Sequence, residues 1–209
     1  MNERCITSDA CVAEGAAWLA SRDLRLGRAL SQVGPLPLRL KPEGFAELQR
    51  AIIGQQVSLA SAAAIQSRLD AAGMQEAEVV RATSEEDLRA LGLSRQKARY
   101  VKALAEAGID YAALRALPSD DVIAILTAVP GSGRWTAEIY VKFALGRADT
   151  FAAGDLALQE GARLVFDLPE RPSEKALREM AEDWSPWRSV AARILWAYYS
   201  SAKQREGIR

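Results

Sequence analysis

The feature that most constrains the fold is the lack of strand-like alternation in a chain rich in helix-forming residues. Alanine, leucine, arginine and glutamate dominate, and runs of β-branched residues with a period of two are missing. Proline, glycine and capping residues interrupt the helical pattern at short intervals. The sequence therefore predicts an all-α protein of about nine to eleven helices joined by short loops.

Several helix limits follow from the same signals. One helix is predicted over roughly 10–32, before a glycine–proline stop signal. The apolar helical run over 45–69 is expected to break near Gly54. Ser119 is expected to cap the helix that follows it, and a later helix is expected to start at Asp155.

Composition excludes several classes of function. The 27 basic and 27 acidic residues give a formal net charge of zero, so any contact with nucleic acid must be local. Histidine is absent, which removes Ser-His-Asp and Cys-His catalysis and most zinc sites. The two cysteines, Cys5 and Cys11, are predicted to be free thiols in a loose N-terminal segment. The lack of an oxidising-compartment signature predicts a cytoplasmic protein, and because no window approaches a membrane span, no membrane partner is expected.

The segment Val-Pro-Gly-Ser-Gly at 129–133 lies between two helical runs and predicts a helical hairpin. Glycine permits unusual backbone angles and lets another backbone come close. The turn would expose the N–H groups of Gly131, Gly133 and Arg134 near the start of the second helix, where a phosphate binds without side-chain charge. A plain tight connection between helices explains the segment equally well.

This hairpin, followed by Arg-Trp-Thr-Ala at 134–137 and by Asp155, 22 residues after Gly133, resembles the helix-hairpin-helix DNA glycosylase superfamily. Within it, the chain is most similar to the 3-methyladenine DNA glycosylase II branch. The motifs that carry this likeness are AIIGQQVS at 51–58, LGLS at 91–94 and WSPWRS at 184–189. The likeness covers about residues 40–200.

The resemblance implies an all-α, two-lobed glycosylase fold without the N-terminal β domain of some relatives, because few residues precede the matching region. It divides the chain into three parts. The first, 1–40, is a helical segment packing on the second lobe; the next, 41–145, is a helical lobe ending in the hairpin. The last, 146–209, holds the C-terminal helices with Asp155 and completes the other lobe.

The resemblance also implies an activity: a monofunctional DNA glycosylase that flips alkylated bases, of the 3-methyladenine and 7-methylguanine type, out of duplex DNA and hydrolyses the N-glycosidic bond. Asp155 would be the catalytic carboxylate, stabilising the positive charge that develops on the sugar. Its alternative role is an ordinary N-cap. Trp135 stands where bifunctional relatives carry a Schiff-base lysine, which indicates no strand cleavage. The alternative functions are a noncatalytic DNA-binding or damage-sensing module and a helical scaffold for protein partners.

Other site residues follow from the same likeness. Trp135 and Trp196 match aromatic positions of the base pocket, although core packing explains either tryptophan as well. Ile139 stands where the best-known member has a tyrosine, which predicts a less aromatic pocket. Gln56 aligns with the wedge that fills the gap left by the flipped base. The alternative for Gln55 and Gln56 is a glutamine pair that is solvated or packs between helices. The residues expected to contact DNA are Gln55, Gln56, Gly131, Ser132, Gly133, Arg134 and Thr136.

The expected partner is damaged double-stranded DNA, bound by a monomer that needs no cofactor. A monovalent cation at the carbonyl oxygens of the hairpin is a feature of the family. Ala152 stands where many relatives carry proline, which is expected to loosen the loop before Asp155. A basic run follows the LGLS motif and either contacts phosphate or forms a solvated face; it comprises Arg95, Lys97, Arg99 and Lys102.

Overall fold

The computed structural model describes residues 3–205, and these fold into thirteen α-helices and one 3₁₀ helix without a β-strand. The all-α prediction is confirmed. The helices outnumber the predicted nine to eleven because short capped breaks divide some predicted segments. Residues 1, 2 and 206–209, which fall within the predicted outer segments, lie outside the described residues. No helix in the described part is long and apolar enough to cross a membrane.

The chain divides into two compact units: a first unit of residues 1–40 and 146–209, and a second unit of residues 41–145. In chain order the α-helices are α1 (Asp9–Arg22), α2 (Leu24–Val33), α3 (Phe45–Gly54), α4 (Leu59–Ala71), α5 (Ala77–Ala82), α6 (Glu85–Ala90), α7 (Arg95–Glu106), α8 (Tyr111–Leu114), α9 (Ser119–Thr127), α10 (Arg134–Phe143), α11 (Leu156–Val165), α12 (Glu174–Met180) and α13 (Arg188–Arg205). The 3₁₀ helix, Ala181–Trp184, follows α12.

The predicted single helix over 10–32 is wrong, because Asp23 divides it into α1 and α2. Asp23 has an extended backbone, with φ −133° and ψ 112°, and its carboxylate accepts a hydrogen bond of 2.8 Å from the Arg25 N–H. The side chain thereby caps α2 at the point where α1 ends. Asp23 therefore ends α1 and begins α2, and the two helices pack against each other.

The N-terminal segment is also ordered rather than loose. The Ile6 N–H donates to the Gly146 carbonyl at 2.7 Å, and the Ala148 N–H donates to the Arg4 carbonyl at 2.9 Å. Both cysteines are free thiols, as expected, and both are partly buried. The prediction of a loose segment was wrong because its order depends on backbone hydrogen bonds to residues far along the chain.

In the first unit, α13 packs against α1, α2 and α11 around one apolar cluster. The approach of α11 to α13 is close at Gly161, where an added Cβ would lie 2.5 Å from the Leu195 carbonyl oxygen. A larger residue at 161 would push the two helices apart. This packing fixes α11, which begins directly after Asp155.

In the second unit, α3, α7, α9 and α10 contribute to a separate apolar core. The expected break near Gly54 is confirmed, because α3 ends there and α4 begins at Leu59. The predicted cap at Ser119 is wrong: Pro118 holds the extended position before α9, and Ser119 is already helical. Helices α9 and α10 form the predicted hairpin, with residues 128–133 as the turn.

Candidate functional site

The hairpin turn depends on a glycine at position 131. Gly131 has φ +87°, a region that residues with a side chain rarely adopt. A Cβ at this position would lie 2.2–2.5 Å from three carbon atoms of Tyr100. The Ser132 N–H closes the turn by donating to the Val129 carbonyl at 3.0 Å. The turn is therefore packed directly on the Tyr100 side chain of α7.

The start of α10 has the properties of an anion site. Gly133 is the N-cap, and it provides no side-chain hydrogen bond to the first turn. The first N–H groups of a helix have no acceptor within the helix and lie at its positive end. A Cβ at Gly133 would meet nothing within 4 Å, so the space beside this backbone is open. A phosphate can therefore approach the start of α10 closely.

Gln55 holds the turn from within the second unit. Its Nε2 donates to the Gly131 carbonyl at 3.0 Å and to the Thr136 hydroxyl at 3.1 Å. Thr136 and Ser132 are buried, at 1% and 4% exposure. These two side chains are packed inside the unit, and the amide nitrogen of Gln55 is engaged within the turn. The expected DNA contacts of the three residues stay a prediction.

Oxygen atoms of the turn are compatible with the monovalent cation that the resemblance implies. The carbonyl oxygens of Val129 and Gly131 each accept one hydrogen bond, and a carbonyl oxygen has a second lone pair. The Ser132 hydroxyl is buried without a hydrogen-bond partner. Among the described residues, no group of three acidic or thiol side chains is placed to bind another metal.

Two apolar side chains lie on one face of α10. Trp135 is 37% exposed, and Ile139, one turn later, is partly buried. Arg134 donates from Nε to Glu138 Oε1 at 2.9 Å, while 55% of its side chain stays exposed. The neighbouring Tyr140 cannot replace an aromatic ring at 139, because it is buried and its hydroxyl accepts from the Gly44 N–H at 2.9 Å.

The loop between α3 and α4 presents a strained glutamine. Gln56 is exposed and has φ +56°, a left-handed conformation that costs a non-glycine residue about 1–2 kcal/mol. Such strain clusters at functional sites. The next residue, Val57, is 37% exposed. Sequence reasoning missed Val57, although its position beside Gln56 was a usable signal for an apolar wedge.

Asp155 is the N-cap of α11. Its Oδ1 accepts hydrogen bonds from the N–H groups of Ala157 at 2.9 Å and Leu158 at 3.3 Å. The positive end of α11 favours a negative charge at this position. The residue is only partly buried, and Leu156 beside it is 60% exposed. The capping role is therefore observed, and it leaves the carboxylate at the surface of the unit.

The loop before Asp155 is held in place without a proline at 152. Gln159 Nε2 donates to the Ala153 carbonyl at 2.9 Å, and the Asp155 N–H donates to the Ala152 carbonyl at 3.0 Å. Ala152 and Ala153 are fully buried. Two hydrogen bonds therefore hold this loop, and the expected loosening by Ala152 stays a prediction.

An ion pair that the sequence did not reveal anchors the same loop. Arg188, the first residue of α13, donates from Nε and Nη2 to the two Asp149 oxygens at 2.8 and 2.7 Å. Ser185 Oγ donates to Asp149 at 2.8 Å. Burial raises the pKa of the Asp149 carboxyl, but the hydrogen bonds from Arg188 and Ser185 outweigh burial and hold the pKa below its usual value.

The remaining aromatic candidate, Trp196 in α13, already has a cation on its ring. The Arg39 guanidinium lies 4.3 Å from the ring centroid, and Trp196 is 39% exposed. Burial, together with the charge of Arg39, lowers the pKa of the neighbouring Arg193 to about 10. A cationic base stacking on this face of Trp196 would have to displace Arg39, a residue that sequence reasoning missed.

Comparisons with known proteins show which family and which proteins the chain is similar to. A family described as "HhH-GPD superfamily base excision DNA repair protein" matches residues 49–186. The chain is 30% identical over 194 residues to DNA-3-methyladenine glycosylase 1 of Schizosaccharomyces pombe, covering 88% of this chain and 85% of that protein.

Two solved structures are similar throughout most of their length. One is the S. pombe 3-methyladenine DNA glycosylase Mag1 in complex with abasic DNA, with a TM-score of 0.78 and 31% identity, covering 88% of this chain and 95% of that chain. The other is a DNA-3-methyladenine glycosidase of Bacillus halodurans, with a TM-score of 0.82 and 29% identity, covering 98% and 95%.

Proposed function

The chain belongs to the HhH-GPD superfamily of base excision DNA repair proteins, and from this premise we propose that it is a monofunctional glycosylase that removes alkylated bases from duplex DNA. The substrates are purines methylated at ring nitrogens, such as 3-methyladenine and 7-methylguanine. The names of the S. pombe and B. halodurans relatives support this substrate class. The observation that carries the proposal is the partly exposed Asp155 carboxylate, oriented by two N–H groups at the start of α11.

Asp155 supplies the charge that the reaction needs. When the N-glycosidic bond breaks, its electron pair leaves with the base and positive charge develops on the deoxyribose. A fixed carboxylate stabilises this oxocarbenium-like state and orients the water whose oxygen bonds to the sugar carbon. A methylated cationic purine leaves as a neutral molecule, so a strong general acid is unnecessary. Because Asp155 is already oriented by α11, little reorganisation is required as the charge develops.

The base must leave the helical stack before it can react. Gln56 and Val57, both exposed in the loop between α3 and α4, are the side chains that we assign to filling the gap in the duplex. Trp135 and Trp196 offer partly exposed ring faces for stacking, and Ile139 adds apolar surface beside Trp135. Cation–π attraction then favours a base that carries a positive charge.

The hairpin binds the DNA backbone. The N–H groups at Gly133 and the first residues of α10 hold a phosphate, and the side chain of Arg134 stays 55% exposed beside them although it pairs with Glu138. Gly131 fixes the geometry through its contact with Tyr100. A neutral protein can therefore hold DNA through one local site, with a cation at the turn carbonyls as an optional addition.

Further properties follow from the same chemistry. Trp135 stands where a lyase would carry its lysine, so we expect base release without a Schiff base and without strand cleavage. The reaction needs water and no cofactor. We propose that the protein acts as a monomer in the cytoplasm, on the DNA of the nucleoid.

The direct test is base release from duplex DNA that has been methylated at ring nitrogens. The protein is incubated with the duplex, released bases are separated by chromatography, and abasic sites are detected by alkaline cleavage. We expect free methylated purines, abasic sites that break only on alkaline treatment, and no adduct trapped by borohydride.

The outcomes separate the alternatives. Tight binding without base release supports a noncatalytic damage-sensing module, and neither binding nor release supports a helical scaffold. Strand breaks without alkali, or a borohydride-stable adduct, contradict the monofunctional mechanism. An unmethylated duplex of the same sequence is the control.

A further inference from the structure

The basic run at the start of α7 is divided by the structure into two kinds of residue. Lys97 Nζ donates to the Ile53 carbonyl at 2.6 Å, and burial lowers the pKa of this lysine. Lys102 Nζ donates to the carbonyls of Arg81 at 2.5 Å and Thr83 at 2.7 Å. The two lysines satisfy carbonyl groups at the ends of α3 and α5. They are structural, and only the two arginines of the run face outward.

The two arginines line a concave surface. Arg95 and Arg99 lie one turn apart, both exposed, and with Gln96 and Tyr100 they line a cavity of about 410 Å³. Among the residues that the structure describes, neither arginine side chain has an ion-pair or hydrogen-bond partner. In contrast, Arg134 of the same unit is paired with a carboxylate. The cavity therefore carries two positive charges that form no ion pair with the described residues.

This arrangement is unfavourable in the isolated protein. Like charges one turn apart destabilise a helix, and a basic residue in the first turn faces the positive end of the helix. The first turn of α7 has no acidic residue, whereas α6 and α9 each begin with two or more. An anion between Arg95 and Arg99 would attract both arginines and would place a negative charge at the positive end of α7, so both unfavourable interactions would become favourable.

The cavity adjoins the hairpin within the second unit. The Tyr100 ring that lines it is the same ring that packs on Gly131. Gln96 Nε2 donates to the Tyr100 hydroxyl at 2.6 Å and fixes that ring. Phosphates repeat along a DNA strand, so a strand held at the hairpin brings further anions close by.

We propose that Arg95 and Arg99 bind a second backbone phosphate of the DNA, beside the phosphate held at the start of α10. The proposal rests on the function proposed above. It adds a phosphate site formed by two side chains to the phosphate site formed by backbone N–H groups at the start of α10. Guanidinium groups form paired hydrogen bonds with phosphate oxygens, which suits an open, two-arginine cavity. The contact is to phosphate, so it contributes affinity without base preference.

The test compares Arg95→Gln, Arg99→Gln and the double variant with Arg89→Gln, which removes an equal charge from an exposed residue of α6. Binding to a labelled duplex with a stable abasic-site analogue is measured by fluorescence anisotropy at several salt concentrations. Each phosphate contact contributes about 0.9 to the slope of log affinity against log salt, and the two arginines share one phosphate, so the double variant should lose about 0.9. Between 50 and 200 mM salt, wild-type affinity should fall about 3.5-fold more than that of the double variant.

Urea unfolding of the same proteins completes the test. We expect the double variant to be as stable as wild type or more stable, because like-charge repulsion is removed. A salt slope equal to that of Arg89→Gln would overturn the proposal, and so would a marked loss of stability, which would make the arginines structural. If wild type itself neither binds DNA nor releases bases, the proposed function fails; if wild type does both and the slope is unchanged, only the second phosphate site fails.

Discussion

Substitution of the two hairpin glycines by alanine should affect different properties: stability at Gly131 and DNA affinity at Gly133. At Gly131, φ is +87° and an added Cβ would lie 2.2–2.5 Å from Tyr100. The left-handed backbone costs about 1–2 kcal/mol for alanine and the overpacking about 1–3 kcal/mol. We expect Gly131→Ala to lower the free energy of unfolding by about 2–5 kcal/mol.

Gly133→Ala is the matched variant that should keep the fold. The backbone at Gly133, with φ −77° and ψ 170°, suits any residue, and the space around its Cβ is open. Alanine is a poorer N-cap than glycine but reduces the entropy of the unfolded chain, and these effects offset to within about 1 kcal/mol. The methyl group instead stands beside the N–H groups of α10, so DNA affinity should fall about tenfold, the equivalent of one charge-assisted hydrogen bond.

Urea unfolding and fluorescence anisotropy with a damaged duplex measure the two effects on the same samples. Wild-type DNA affinity in Gly133→Ala would refute phosphate binding at the start of α10. Wild-type stability in Gly131→Ala would refute the tight contact between the turn and Tyr100.

Three further variants test other parts of the site. Gln56→Gly relieves the positive φ at position 56 and should stabilise the protein by about 1 kcal/mol while slowing base release; unchanged release would remove Gln56 from the wedge. Asp149→Asn removes the charged partner of Arg188 and should lower the free energy of unfolding by about 1–3 kcal/mol in chemical denaturation. Because the pKa of Asp149 in the folded protein lies below its usual value, the stabilisation by this carboxylate is present above about pH 4 and is lost as the pH falls through the folded pKa. A variant whose stability depends on acid pH as that of wild type does would contradict the assignment. Arg39→Ala uncovers Trp196 and should lower the KM for a cationic methylated purine in base-release kinetics, at a stability cost of about 0.5–1 kcal/mol; an unchanged KM would show that no base stacks on that face.

The sequence predicted the elements that depend on local signals. The all-α class, the hairpin over 129–133 and the break after Gly54 follow from helix propensity, glycine and proline, which act over a few residues. The division at Asp23 was missed because an aspartate within a helical pattern is ambiguous until its side chain is seen to cap α2. The order of the N-terminal segment was missed because its partners, near Gly146, are remote in sequence.

The sequence identified candidate residues for the site, but it did not predict most of the contacts that these residues make. The placement of Asp155 at the start of a helix followed from a capping signal, whereas its catalytic role rests on family resemblance and remains a prediction. Burial separates Thr136 from Arg134 within one motif, and no local pattern encodes that difference. Arg39 over Trp196 depends on tertiary packing, so periodicity gave no signal for it.

The central claim is tested most directly by Asp155→Asn. Asparagine caps a helix as well as aspartate, so α11 and the stability of the protein should be retained while the negative charge is lost. Base release from methylated duplex DNA should fall by about a hundredfold or more in single-turnover assays. The control is Asp23→Asn, which alters the cap of α2 in the same unit and should leave release at the wild-type rate. Wild-type base release by a folded Asp155→Asn protein would contradict the account.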